Sequence, residues 1–135
     1  MIFNAVQASA LEAVEKIINA ALHYDPATER QIAALDGKLL LVKSTLPPLS
    51  VAIEATSAGI MLHSNWQDKA NTTVSGSLVG MLSLAVSADE YVSFAGTGIS
   101  VTGDLEFLRQ INELMRNINV DWEGALATIV GDMPA

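Results

Sequence analysis

Residues 49–55, LSVAIEA, alternate without a fault: Leu49, Val51, Ile53 and Ala55 fall on one side, Ser50, Ala52 and Glu54 on the other. A period of two marks a strand with one buried face. Working outward, Lys38 to Ser44 (KLLLVKS) is a short apolar run between polar ends. Gly59 to Ser64 sets Ile60 and Leu62 against Met61 and His63, and Ala70 to Ser75 sets Thr72 and Val74 against Asn71, Thr73 and Ser75. Pro47-Pro48 reads as a loop that resists pairing. The spacings leave no room for crossover helices, so these strands are expected to pair as antiparallel neighbours. A fifth strand, Gly98 to Thr102, turns Ile99 and Val101 inward. The expected fold class is therefore α+β: an antiparallel five-stranded sheet with helices packed on one face.

Helical spacing frames these strands. From Asn4 to His23, Phe3, Val6, Ala10, Val14, Ile17, Ala21 and Leu22 recur at steps of three and four, with Gln7, Glu12, Glu15, Lys16 and Asn19 mostly on the other side. Asp25-Pro26 suits the cap and first turn of a second helix, to Leu35, which Asp36-Gly37 ends. A third helix is expected over Leu78 to Val86. Asp104 caps a fourth, Leu105 to Ile118, whose stripe is Leu105, Leu108, Ile111, Met115 and Ile118 opposite Glu106, Arg109, Glu113 and Arg116. Asp121 caps a last one, Trp122 to Val130, closed by Gly131.

The chain is 135 residues long, half hydrophobic, and carries 7 basic against 15 acidic residues, a net charge of −8. One domain over residues 1–135 is expected, able to build a core without cross-links. The acidic balance and scattered basic residues argue against nucleic acid and anionic lipid surfaces. No run approaches the ~20 apolar residues that span a bilayer, so stable membrane insertion is not expected. The N-terminus lacks the basic segment of a secretory signal, and the sequence reads as cytoplasmic.

Little in the sequence supports catalysis. Cysteine is absent, and His23 and His63 lie 40 residues apart with no carboxylate at ligand spacing, so no metal is expected. No nucleophile elbow is present. Gly96-Thr97-Gly98 precedes a strand where a dinucleotide loop should follow one, and its third glycine would fall at Val101. Gly37-Lys38 is followed by Leu39 where a phosphate loop needs Ser or Thr. The pairs Asp89/Glu90 and Asp121/Glu123 read as solvated loop charges and a helix cap. What remains is apolar surface beyond the needs of a small core: the stripe Leu105–Ile118, the helix Leu78–Val86, and Phe94, Trp122, Leu126 and Ile129 seek one side of one sheet. An ordinary core and a core split by a cavity both satisfy that composition.

From Ala70 onward the order of motifs adds to this reading. Thr73-Val74 in a strand, the apolar helix Leu78 to Val86, and a strand from Ile99 ending in Gly103-Asp104 resemble the sterol carrier protein type two domain. Leu35-Asp36-Gly37-Lys38, Trp66, and Val120-Asp121-Trp122-Glu123 with Gly131-Asp132 resemble the UbiJ branch of that superfamily, accessory factors of bacterial ubiquinone biosynthesis. The resemblance implies a non-catalytic lipid-binding protein without cofactor. Such a protein holds prenylated ubiquinone intermediates in a hydrophobic tunnel for the modifying enzymes. It also implies a UbiK-type coiled-coil partner and a helical tail beyond Ala135.

Periodicity and resemblance together place the ligand between the sheet and the helices carrying Leu82, Leu108, Ile111, Met115, Trp122 and Leu126. The alternatives are a general carrier of fatty acyl or sterol-like lipids, or a dimerisation module with a solid core. A homodimer or higher oligomer is expected. The motive is the apolar N-terminal helix together with Leu40 and Val42, which face opposite to Leu39 and Leu41, since at least one of those pairs lacks a place in a one-sided core.

Overall fold

The computed structural model describes residues 4–5, 8–85 and 98–131. The expectations placed on Phe3, Val6, Gln7, Val86, Asp89, Glu90, Phe94, Gly96, Thr97 and Asp132 lie outside the described residues. A two-residue strand, β1 (Asn4–Ala5), precedes α1 (Ala8–His23) and α2 (Pro26–Ala34). Three consecutive strands follow, β2 (Leu39–Thr45), β3 (Pro48–Thr56) and β4 (Gly59–Ser64), then β5 (Thr72–Gly76), α3 (Leu78–Ala85), β6 (Ser100–Gly103), α4 (Leu105–Asn117) and α5 (Trp122–Gly131).

The sheet is mixed, not antiparallel. The strands β2, β3 and β4 form an antiparallel meander, in which Leu40 pairs with Ile53 and Ile53 with Leu62. The strand β5 then lies on the far side of β2 and runs parallel to it, Leu40 opposite Thr72 and Val42 opposite Val74. The strand β6 is antiparallel to β5, and β1 is parallel to the start of β3, where Asn4 pairs with Leu49. The reason is geometric. A parallel pair needs a long crossover, and here β3 and β4 are themselves part of it. Only residues 65–71 remain to bring the chain back. Seven extended residues reach roughly 23 Å, about the length of a strand. Nor does Pro47-Pro48 open a wide loop. Pro48 begins β3 opposite Thr45, where a missing amide hydrogen is tolerated, and the Leu46–Pro47 peptide is cis.

The helices lie on one face of the sheet. Val14, Ile18 and Leu22 of α1, Ile32 of α2, Leu114 of α4 and Ala125 of α5 form one cluster with Ala55 and Ile60. Met81 of α3 joins Phe107, Leu108 and Ile111 of α4 against Leu40 and Val74. The opposite face is not bare. Leu39, Leu41 and Ala52 are buried there beneath Trp66 and Ala70 of the returning segment, Leu39 at 3% exposure and Leu41 at 8%. The chain thus covers both Leu39 with Leu41 and Leu40 with Val42 itself, and the expectation of an oligomer loses the motive that rested on them.

Two helix faces are rotated from the expected ones. Ile17 is 47% exposed and Ile18 is buried in its place. Leu105 is 60% exposed, and Phe107 and Leu114 are buried. On α1, Glu15 and Asn19 are not on a wet face. Asn19 accepts from the Ile60 amide at 2.8 Å and donates to the Ile60 carbonyl at 2.9 Å, and Glu15 accepts from the Leu62 amide at 2.8 Å. These side chains satisfy the outer edge of β4, which a sheet otherwise leaves open to pairing.

The Gly103-Asp104 turn ties sheet to helix. The Asp104 carboxylate accepts from the Phe107 amide at 3.0 Å, capping α4, and from Lys38 at 3.2 Å. Its backbone amide donates to the Asn71 carbonyl at 2.9 Å, and its carbonyl accepts from the Thr72 hydroxyl at 2.6 Å. The bond from Phe107, and then that from Lys38, hold the Asp104 carboxyl below the usual carboxylate range. A carboxyl lowered in the folded state adds stability at pH values above its unfolded pKa, about 3.9. That contribution disappears as pH falls through the folded value. In acid titrations of the denaturation midpoint, the parent is expected to fall more steeply below about pH 4 than Asp104→Asn, which retains a capping oxygen.

Ser44 stands apart among the buried groups. It lies on β2 in line with Leu40 and Val42, flanked by Leu49 and Gly76, and its hydroxyl is fully buried without a hydrogen-bond partner. Burying an unpaired hydroxyl is destabilising, so Ser44→Ala is expected to raise the unfolding free energy by about 1 kcal/mol in urea denaturation.

Candidate functional site

The helices do not close completely on the sheet. An apolar pocket of about 150 Å³ lies between the β2, β3 and β5 face and the helices α3, α4 and α5. Leu40, Val42, Ile53 and Val74 form its floor, and Leu78, Met81, Leu82, Leu84 and Ala85 its α3 wall. Ile99, Leu108, Ile111, Asn112, Met115 and Leu126 complete the lining. Each wall follows from local sequence. Leu40, Val42 and Val74 sit on one side of paired strands because alternate residues share a face. On α4, Leu108, Ile111 and Met115 share a stripe at steps of three and four. The helix α3 carries no charged side chain, and its best-buried described residue is Met81.

Five of the six residues singled out from the sequence line this pocket: Leu82, Leu108, Ile111, Met115 and Leu126. Trp122 does not. Its indole packs with the α1–α2 cluster, and its ring N–H donates to the Met115 carbonyl at 2.9 Å. That carbonyl belongs to the last turn of α4, where no intrahelical donor is available. Trp122 therefore joins α5 to the end of α4 beside the pocket. The sheet floor and Asn112 were not singled out. Asn112 had a legible signal, since it falls within the apolar row Leu108, Asn112, Met115.

The electrostatics lie outside this space. On the exposed face of α4, Arg109 binds Glu106 at 2.6 Å and Glu113 at 3.0 Å, which holds the Glu106 carboxyl below its ordinary range. Lys38 pairs with Asp104 and lies 5.7 Å from the centre of the Phe107 ring. On the outer sheet face His63 meets Glu54 at 2.8 Å, and its ring lies 5.1 Å from that of Trp66. Among the described residues no three His, Cys, Asp or Glu side chains converge as a metal site would require. No described helix is long and apolar enough to cross a membrane.

A mixed sheet with helices on one face is the architecture of sterol-carrier-like α+β domains. Residues 18–116 match the model of the SCP-2 sterol transfer family, and the chain belongs to that family. Among solved structures, "UbiJ-SCP2 Ubiquinone synthesis protein" superposes with a TM-score of 0.66 at 19% identity, covering 77% of this chain and 90% of that one. The inverting sec-alkylsulfatase Pisa1 from Pseudomonas sp. has a similar portion, with a TM-score of 0.52 at 13% identity, over 64% of this chain and 14% of that one. At these identities the likeness is one of fold. No curated protein matches the sequence.

Proposed function

We propose that this chain is a non-catalytic lipid-binding accessory factor of ubiquinone biosynthesis, holding prenylated aromatic intermediates for the enzymes that modify the ring. The observation that carries the reading is the pocket: every described lining side chain except Asn112 is apolar. An isoprenoid tail offers no charge to recognise and is bound by apolar area alone. Burying about 400 Å² of tail at about 25 cal/mol per Å² contributes roughly 10 kcal/mol before association and ordering costs. An apolar space near 150 Å³ admits a group of about benzene size. A longer tail enters as Met81, Met115 and the leucines of α3 repack, which flexible unbranched side chains permit. Membership of a sterol transfer family supports lipid binding, and the fold shared with a ubiquinone synthesis protein supports the pathway. The pathway enzymes and a UbiK-type coiled-coil protein are the partners this reading implies.

Organic extraction of the purified protein followed by mass spectrometry tests it. The expected result is a prenylated phenol or benzoquinone in stoichiometric amount. Recovery of fatty acids or phospholipids instead would make the protein a general lipid carrier.

A further inference from the structure

Among the described residues that line the pocket Asn112 has the one polar side chain, and it makes no hydrogen bond with another described residue. It is only partly exposed, one turn from Leu108 and beside the buried Ile111. The buried side-chain polar atom without a partner among the described residues is Ser44 Oγ, so the Asn112 amide keeps contact with water when the pocket is empty. A ligand head seated at this wall exchanges that water for a direct hydrogen bond. We propose that Asn112 is the specificity-determining residue of this site, and that it selects lipids with an uncharged, oxygen-bearing head: an alcohol, a phenol or a quinone carbonyl. The assignment rests on the lipid-binding reading above.

Two features define that class. The Asn amide has two N–H donors and one carbonyl acceptor, so it both donates to a carbonyl and accepts from a hydroxyl. No charged side chain lines the pocket among the described residues. On the same helix, Arg109 is committed to Glu106 and Glu113 on the exposed face. A carboxylate or phosphate head would leave water without a cation to receive it. A neutral oxygen head loses less on leaving water and gains the Asn112 bond.

Three probes with one tail test this: farnesol, farnesene and farnesoic acid, the last fully ionised at pH 8. Their binding to the full chain is measured by displacement of an apolar fluorescent dye. Farnesol is expected to bind the parent at least about tenfold more tightly than the farnesoate anion. In Asn112→Leu the farnesol-to-farnesene affinity ratio falls about tenfold, while farnesene binding is retained. Asn112→Ala, which adds no bulk, repeats the change in ratio. An unchanged ratio in both variants, or tighter binding of farnesoate than farnesol, overturns the assignment. If farnesene binds and the ratio does not move, Asn112 loses its role and the lipid-binding reading stands. If none of the three binds the parent, that reading fails and the assignment with it.

Discussion

Gly103→Ala is expected to cost about 3 kcal/mol of unfolding free energy, while Gly37→Ala costs about 1 kcal/mol. Both glycines have positive φ, +101° and +91°, where a side chain is strained whatever the surrounding space. They differ in what a methyl group would meet. At Gly37 there is nothing within 4 Å. At Gly103 the added carbon would lie on the Asn71 carbonyl oxygen and against the Thr72 backbone. Those atoms cannot move freely. The Asn71 carbonyl accepts from Asp104, and its side chain accepts from the Leu39 amide at 2.9 Å, so a shift would spread to β2 and to the cap of α4. Urea denaturation with an unchanged slope measures the difference. Equal costs at the two positions would show that the turn relaxes and that the approach of the end of β6 to the start of β5 is not tight.

Leu108→Trp is expected to leave stability within about 1 kcal/mol of the parent and to weaken binding of a prenylated phenol at least about tenfold. Leu108 is buried on α4 and faces the pocket beside Ile111. A space of about 150 Å³ has room for the extra ring, and that ring then occupies the volume a ligand would take. Overpacking a closed core would instead cost about 1–3 kcal/mol. Denaturation midpoints of parent and variant, each with and without ligand, separate the two cases. Ligand should raise the parent midpoint and leave that of the variant nearly still. Strong destabilisation, with no ligand effect on the parent, would reject an open pocket at this position.

Much of the local structure was legible because it is local. The alternation of Leu49, Val51, Ile53 and Ala55 placed β3 correctly and named its buried face, and Asp25 and Asp104 marked the starts of α2 and α4. Register around a helix is less legible. Ile17 and Ile18, or Leu105 and Phe107, satisfy a helical stripe almost equally well on paper. The neighbouring sheet decides between them, since it fixes which residue of each pair meets an apolar wall.

Strands β2 to β6, helices α1 to α5 and the family were readable along the chain, because each rests on spacing within one segment or on the order of motifs; β1 was not, since Asn4 and Ala5 fall where a helix is expected. Only the tertiary structure decided that β5 lies parallel beside β2, and that Trp66 and Ala70 cover Leu39 and Leu41. It also decided that Glu15 and Asn19 close the edge of β4 and that Trp122 stands beside the pocket. The physical reason is the same in each case. Pairing partners, edge contacts and residual space arise between segments far apart in the chain. A polar residue looks the same in sequence whether it faces water, a strand edge or an apolar wall.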